Sequence, residues 1–168
     1  MKAKKIDKDG LLLCELQART FELSATQLTT SSAVVVRRFM NRDIVKQLDN
    51  GAILDKTLQP KDLLSLLTEE YGTSNYGSVV YTKNELYWMG YIYRYMAYTY
   101  AFSSHRVYGI VKPGELRGLF LPYHTMDPAQ ASDRILEAKG LLFDEEAELH
   151  RQFEIYKRIR SDNLARTY

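Results

Sequence analysis

The segment Leu86–Tyr100, with the sequence LYWMGYIYRYMAYTY, contains six tyrosines, the only tryptophan of the chain, two methionines and one arginine. At the periodicity of an α-helix, its large side chains point in almost every direction around the axis. Such a helix is stable only when other elements cover it, so this segment is predicted to be the central helix of the fold. Thr82 and Glu85 form a capping-box pattern that predicts where this helix begins.

Helical periodicity continues on both sides of this segment and predicts an all-α fold, a compact bundle of six to eight helices around the central one. Gly72–Tyr81 has the composition of a loop, in which Ser78–Tyr81 could instead form a short strand. The helices predicted before this loop are Leu11–Leu28, one helix from a Ser31 or Ser32 cap through Ile44 to Leu48 and closed by Asn50-Gly51, and Lys61–Tyr71 opened by Pro60. Those predicted after the central helix are a short helix from Ser103-Ser104 to Val111, one or two turns over Glu115–Tyr123 after a break at Pro113-Gly114, Ala129–Lys139 capped by Asp127, and Asp144–Ser161.

The chain also contains the pattern of an internal duplication. A shift of 72 positions aligns residues 9–80 with residues 81–152 without gaps, and it places Ser31-Ser32 on Ser103-Ser104. Two pseudo-repeated helical halves would give this pattern, and so would the periodicity that all helices share. In either case we expect residues 1–143 to form a single helical domain, followed by an amphipathic C-terminal helix and tail at 144–168.

Composition excludes several classes of protein. With 168 residues, 45% hydrophobic and 26% charged, the chain is long enough for one domain with a substantial core, and its net charge of +2 is too small to indicate nucleic-acid binding by itself. Cys14 is the only cysteine and follows three leucines, so we predict a buried thiol and no intramolecular disulfide. No secretory signal and no stretch of about 20 apolar residues is present, which predicts a cytoplasmic protein without a membrane partner.

No catalytic or cofactor motif is apparent. The three histidines, His105, His124 and His150, lack the spacing of a helical zinc site, and the chain has no nucleophile elbow, P-loop or dinucleotide fingerprint. We therefore predict no metal, no cofactor and no enzymatic activity. His124 precedes a helix, where it is expected to bond to the backbone, with general acid–base chemistry as the alternative.

Two groups of residues are candidates for a binding surface. Arg94 shares one sector of the central helix with tyrosines, so it either forms a structural ion pair with an acid of another helix or contributes to an Arg/Tyr pocket or partner surface. Arg37-Arg38 and His105-Arg106 follow the two Ser-Ser pairs at nearly equivalent positions, where they form either anion-binding spots or solvated faces. The full set of candidate partner-binding or pocket residues is Tyr87, Tyr91, Arg94, Tyr98, His105, Arg106, Arg37, Arg38 and His124.

The last predicted helix is amphipathic. It begins with acidic residues and ends with basic ones, an order that complements the helix dipole. Its apolar stripe consists of Leu149, Phe153, Tyr156 and Ile159. We expect this stripe to pack on the chain's own core, with a contact to a partner or a homodimer as the alternative.

Three segments carry a resemblance to a known family. Ser31–Asp49, Tyr87–Tyr108 (YWMGYIYRYMAYTYAFSSHRVY) and Glu115–Glu137 (ELRGLFLPYHTMDPAQASDRILE) resemble a family of small uncharacterised bacterial proteins that carry YW-x-GYIYRY, a later SS and a YHTLDP-like motif. Relatives of this kind often lie in mobile-element operons near predicted toxins, including ADP-ribosyltransferase-like proteins. The resemblance implies an antitoxin-like or accessory protein of a conflict system, and it carries over no catalytic residue.

The leading functional hypothesis is therefore a non-enzymatic module that acts by binding a partner protein, namely a toxin or a defence component. One alternative is a phage or mobile-element inhibitor of a bacterial immune system, which would use the same kind of surface against a different target. A second alternative is nucleic-acid binding through the arginines and His105 named above, and a third is an enzyme without a recognisable motif.

Overall fold

The computed structural model describes residues 2–72, 77, 79–142 and 145–165, and within these residues all regular secondary structure is helical. The prediction of an all-α fold is thus confirmed. The described residues form a 3₁₀ helix, Ala52–Asp55, and nine α-helices: α1 Lys8–Gln27, α2 Ser32–Met40, α3 Asp43–Asp49, α4 Pro60–Tyr71, α5 Lys83–Thr99, α6 Ser104–Ile110, α7 Pro113–Tyr123, α8 Pro128–Ala138 and α9 Glu145–Ala165.

The central position of α5 is confirmed. Helix α1 packs along α5, and α6, α7 and α8 contact other faces of it. The close contact with α1 depends on Gly90, because a Cβ atom at this position would lie 2.9 Å from the carbonyl oxygen of Gln17 and 3.0 Å from Cα of Ala18. Cys14, also on α1, is buried as predicted, and burial raises the pKa of its thiol to about 12.

The predicted capping box begins α5. The Thr82 hydroxyl accepts a hydrogen bond from the Glu85 amide at 3.2 Å, and the Glu85 carboxylate accepts one from the Thr82 amide at 3.1 Å. Arg117 of α7 donates to the same carboxylate at 2.8 Å. Burial raises the pKa of Glu85, but the bonds from Arg117 and Thr82 outweigh it and leave that pKa below its usual value.

Replacing Thr82 with alanine is expected to lower the free energy of unfolding by about 1 kcal/mol, because the Glu85 amide then loses its acceptor. Urea denaturation followed by circular dichroism measures the change. The matched control is Thr26→Ala, since Thr26 is an exposed residue inside α1 where alanine is the better helix former. Equal losses in the two variants would show that the cap contributes nothing specific.

The second predicted helix is wrong in one respect: it is two helices. Helix α2 ends at Met40 and α3 begins at Asp43, with Asn41 at φ −116° and ψ 10° between them. The Asn41 side-chain amide donates to the Arg37 carbonyl at 2.7 Å, an acceptor that a continuous helix would offer to the Asn41 backbone. Gly51 follows α3 at φ +76°, in the left-handed geometry predicted for the helix end.

The predicted interruption at Pro113 is confirmed, because α6 ends at Ile110 and α7 begins at Pro113, but the predicted extent of the next helix is wrong. Pro113 is the first residue of α7, a position where the missing N–H has no helical acceptor to lose, and the helix extends over 11 residues rather than one or two turns. Pro60 and Pro128 begin α4 and α8 in the same way, as predicted.

The predicted loop before α5 is described only in part. Residues 73–76 and Ser78 lie outside the described residues, as do Asp144 and residues 166–168 of the predicted C-terminal helix and tail. Residues 79–81 do not form a strand, but they contact the start of α2. The Val79 carbonyl accepts from the Ser32 amide at 3.0 Å, and the Ser32 hydroxyl accepts from the Tyr81 amide at 2.8 Å.

The order of the helices agrees with the duplication pattern. Helices α2 and α6 begin 72 positions apart, at Ser32 and Ser104. The starts of α1 and α5, of α3 and α7, and of α4 and α8 are also separated by 72 positions to within four residues. Common descent of the two halves stays a prediction.

Helix α9 does not pack on the core, contrary to expectation. Every side chain described in it, from Leu149 to Ala165, is exposed. Sequence periodicity identified its apolar stripe correctly but could not determine what covers the stripe. Among the helices of the described ranges, none combines the length and the apolar composition needed to cross a membrane.

Candidate functional site

Arg94 lies at the junction of four helices and is only 1% exposed. Its guanidinium donates to Asp49 of α3 at 2.6 Å, to the Ser104 hydroxyl of α6 at 2.6 Å and to Gln17 of α1 at 2.9 Å. Burial lowers the pKa of Arg94 and the Asp49 carboxylate opposes that shift, so the guanidinium stays charged. This geometry matches the structural ion pair, the first of the two roles expected from the sequence.

Two of the three tyrosines of the Arg94 sector bond to α1 or to the segment before it, and the third stacks within α5. The Tyr87 hydroxyl donates to Glu15, and the Tyr98 hydroxyl donates to Asp7 at 2.6 Å. The Tyr91 ring stacks on the Tyr87 ring with centroids 6.3 Å apart. Burial raises the pKa of Tyr87 and that of Tyr91 to about 12. Much of the surface of Tyr87 and Tyr91 is therefore buried inside the protein.

His124 and Arg106 contact their own local segments. His124 Nδ1 lies 2.8 Å from the Phe120 carbonyl and the ring stacks on Phe120 at 4.4 Å, which confirms the backbone bond expected at this junction. The Arg106 guanidinium lies over the Phe102 ring at 4.0 Å. Neither residue lines the groove described next.

The remaining three candidates, Arg37, Arg38 and His105, line one groove of about 710 Å³ between α2 and α6. Four of the groove's side chains are arginine or lysine, and no carboxylate belongs to its lining among the described residues. We call this feature the α2–α6 groove. Its lining residues are Arg37, Arg38, Asn41, Arg42, Tyr71, His105, Tyr108 and Lys112.

Hydrogen bonds across the α2–α6 groove hold its walls together. His105 Nδ1 of α6 lies 2.5 Å from Asn41 Oδ1, at the end of α2. Arg42 donates to the Tyr71 hydroxyl of α4 and lies 3.5 Å from the Glu70 carboxylate. The bond to Tyr71 raises the pKa of Arg42, so this cation persists at any physiological pH.

Both tyrosine rings of the groove are covered by cations of the same chain. The guanidinium carbons of Arg38 and Arg42 lie 4.8 and 4.7 Å from the centroid of the Tyr71 ring. The Lys112 ammonium lies 4.1 Å from the centroid of the Tyr108 ring. These cation–π contacts position the charges and occupy ring surface that a ligand would otherwise use.

A second pocket, of about 210 Å³, adjoins the groove and shares Arg38 and Tyr71 with it. Its lining includes the apolar side chains of Leu28, Val35 and Leu67. A ligand in the α2–α6 groove can therefore place an apolar group beside its charged ones.

Sequence reasoning missed five members of the groove: Asn41, Arg42, Tyr71, Tyr108 and Lys112. The spacing of Arg38 and Arg42, and that of Tyr108 and Lys112, is i,i+4, which would place each pair on one face of a continuous helix. In the structure, Arg42 and Lys112 lie just beyond the ends of α2 and α6. The sequence therefore contained a signal for these two pairs. It contained no signal for Tyr71, because the place of Tyr71 in the groove depends on how α4 packs beside α2.

Within the described ranges, no group of three or more histidine, cysteine, aspartate or glutamate side chains is arranged to hold a metal ion. No protein-family model matches the chain, and searches of the curated proteins and of the solved structures give no match either. The functional proposal is therefore based on the surface of this chain and on the resemblance described above.

Proposed function

We propose that this chain is a non-enzymatic binding protein whose α2–α6 groove holds an acidic segment of a partner protein. The observation that carries the proposal is the set of four cationic side chains, Arg37, Arg38, Arg42 and Lys112, in one groove whose described lining has no carboxylate; Glu70, which pairs with Arg42, lies outside that lining. Such a field attracts an acidic segment, speeds its association and fixes its register. The adjoining pocket accepts an apolar side chain of the same segment.

A protein segment fits this groove better than a nucleic acid does. Proteins that bind single strands stack bases on open aromatic rings, whereas the rings of Tyr71 and Tyr108 are already in contact with arginine and lysine. Arginine and tyrosine are also among the residues most enriched at energetic centres of protein interfaces. Nucleic acid is the second candidate, because the same four cations would bind phosphates.

The kind of partner is inferred from the resemblance. It makes the partner a toxin or a defence component, which the chain would restrain by direct binding. A phage or mobile-element inhibitor of bacterial immunity would use the same groove against another target. Co-purification of the chain with the product of the adjacent gene distinguishes the two roles.

A double charge reversal, Arg37→Glu/Arg38→Glu, is expected to weaken binding of a short glutamate-rich peptide with one central leucine by about tenfold or more. Fluorescence anisotropy of the labelled peptide measures the affinity. The matched control is Lys5→Glu/Arg134→Glu, which makes the same change in net charge at exposed residues outside the groove lining. It is expected to change the affinity less than about threefold.

Equal losses in both double variants would contradict the groove as the binding site. Replacing the peptide's glutamates with glutamines tests the charge, and replacing its leucine with serine tests the adjoining pocket. A single-stranded oligonucleotide that binds more tightly than the peptide, with an affinity that falls steeply as salt rises, would favour the second candidate.

A further inference from the structure

Helix α9 presents an apolar stripe to solvent. Leu149, Phe153 and Tyr156 follow the i, i+4, i+7 spacing of one helix face and are 72%, 56% and 62% exposed. Ile159 and Leu164, also exposed, widen this stripe. A helix of 21 residues is about 31 Å long, so the stripe is long enough for a helix–helix interface.

The charges of α9 are separated along its length. Residues 145–154 contain four glutamates and one arginine, whereas residues 155–164 contain one lysine, two arginines and one aspartate. When two copies of α9 pair antiparallel, the net-acidic first half of each copy lies along the net-basic second half of the other. When they pair parallel, like charges meet at both ends, which destabilises the pair.

We propose that α9 binds α9 of a second copy of this chain in an antiparallel arrangement, with the two-fold axis near residues 154 and 155. This register places Phe153 of each copy opposite Tyr156 of the other, and Leu149 opposite Arg160, whose aliphatic stem packs on the leucine. A two-fold interface is self-complementary in this way, since each contact occurs twice. The pairing removes apolar surface of both copies from water at the same time.

This pairing involves no residue of the α2–α6 groove, so it does not depend on the proposed function. If both proposals hold, the dimer presents two grooves, and a partner with two acidic segments would bind with greater avidity than either groove alone provides.

Light scattering coupled to size-exclusion chromatography tests the pairing on the full chain. The wild-type protein is expected to have twice the monomer mass, and Phe153→Glu to have the monomer mass. The matched control is Leu121→Glu, because Leu121 is another large apolar residue, 79% exposed on α7, and this variant should remain dimeric. A monomeric wild-type protein would overturn the proposal, as would a dimer that survives Phe153→Glu.

A spin label attached to Ser161→Cys tests the orientation of the pair. The label reacts at this position alone, because Cys14 is buried. In the antiparallel register the two labels lie about 20 Å apart along the axis, since residue 161 pairs with residue 148. In a parallel pair they would lie about 10 Å apart. Double electron–electron resonance detects the longer distance, and its absence together with the line broadening of two close labels would contradict the proposal.

Discussion

Replacing Arg94 with alanine is expected to lower the free energy of unfolding by about 3–5 kcal/mol, a large part of the stability of a domain of this size. The loss is large because the guanidinium bonds to Asp49, Gln17 and Ser104 at once. Without it, the Asp49 carboxylate, whose side chain is 19% exposed, loses its cation inside the junction of four helices.

Denaturation in urea measures this loss, and Arg19→Ala is the control. Arg19 also forms an ion pair at 2.8 Å, with Glu15, but both side chains are about half exposed. Removing an exposed pair is expected to cost less than about 1 kcal/mol. If Arg94→Ala cost no more than Arg19→Ala, the buried ion pair would not be what holds the four helices together.

The second large effect is expected at Gly90, where alanine should lower the free energy of unfolding by about 1–3 kcal/mol and leucine by more. The added Cβ would lie 2.9 Å from the Gln17 carbonyl oxygen, 3.0 Å from Cα of Ala18 and 3.0 Å from Cγ of Phe21. Two of these atoms are backbone, so α1 itself must shift away from α5. That shift opens the main helix–helix contact of the fold.

Gly118→Ala is the matched control for Gly90→Ala. Gly118 lies inside α7, and a Cβ atom there has no neighbour within 4 Å. Alanine is the better helix former, so this variant is expected to gain about 0.5–1 kcal/mol. Thermal and urea denaturation should therefore give opposite signs for the two substitutions. The same sign in both would contradict the close approach of α1 and α5 at Gly90.

The features of the fold that follow from local sequence were predictable. The composition of Leu86–Tyr100 requires burial, and Thr82 with Glu85 marks the start of α5. The break at Asn41 was not predictable from periodicity, because apolar residues continue in register across it while a side-chain hydrogen bond interrupts the helix. The exposure of α9 was not predictable either, because amphipathicity does not specify the surface that covers the stripe.

The candidate site was predictable only in pieces. Arg37, Arg38 and His105 were identified from their places after the two Ser-Ser pairs, but the groove they share depends on the packing of α2 against α6. The contact between His105 and Asn41 joins residues 64 positions apart in the sequence. Similarly, the sequence predicted that Arg94 needs a partner, whereas the choice of Asp49, 45 positions away, depends on the tertiary fold.

The location of acidic-peptide binding tests the central claim most directly. Nuclear magnetic resonance of the ¹⁵N-labelled chain, titrated with the glutamate-rich peptide described above, reports which amides change their environment. The account predicts changes concentrated in α2, in α6 and around Tyr71, with the α8 amides unchanged, and it predicts their loss in Arg37→Glu/Arg38→Glu. Changes confined to α8 or α9, or the same changes in that variant, would contradict it.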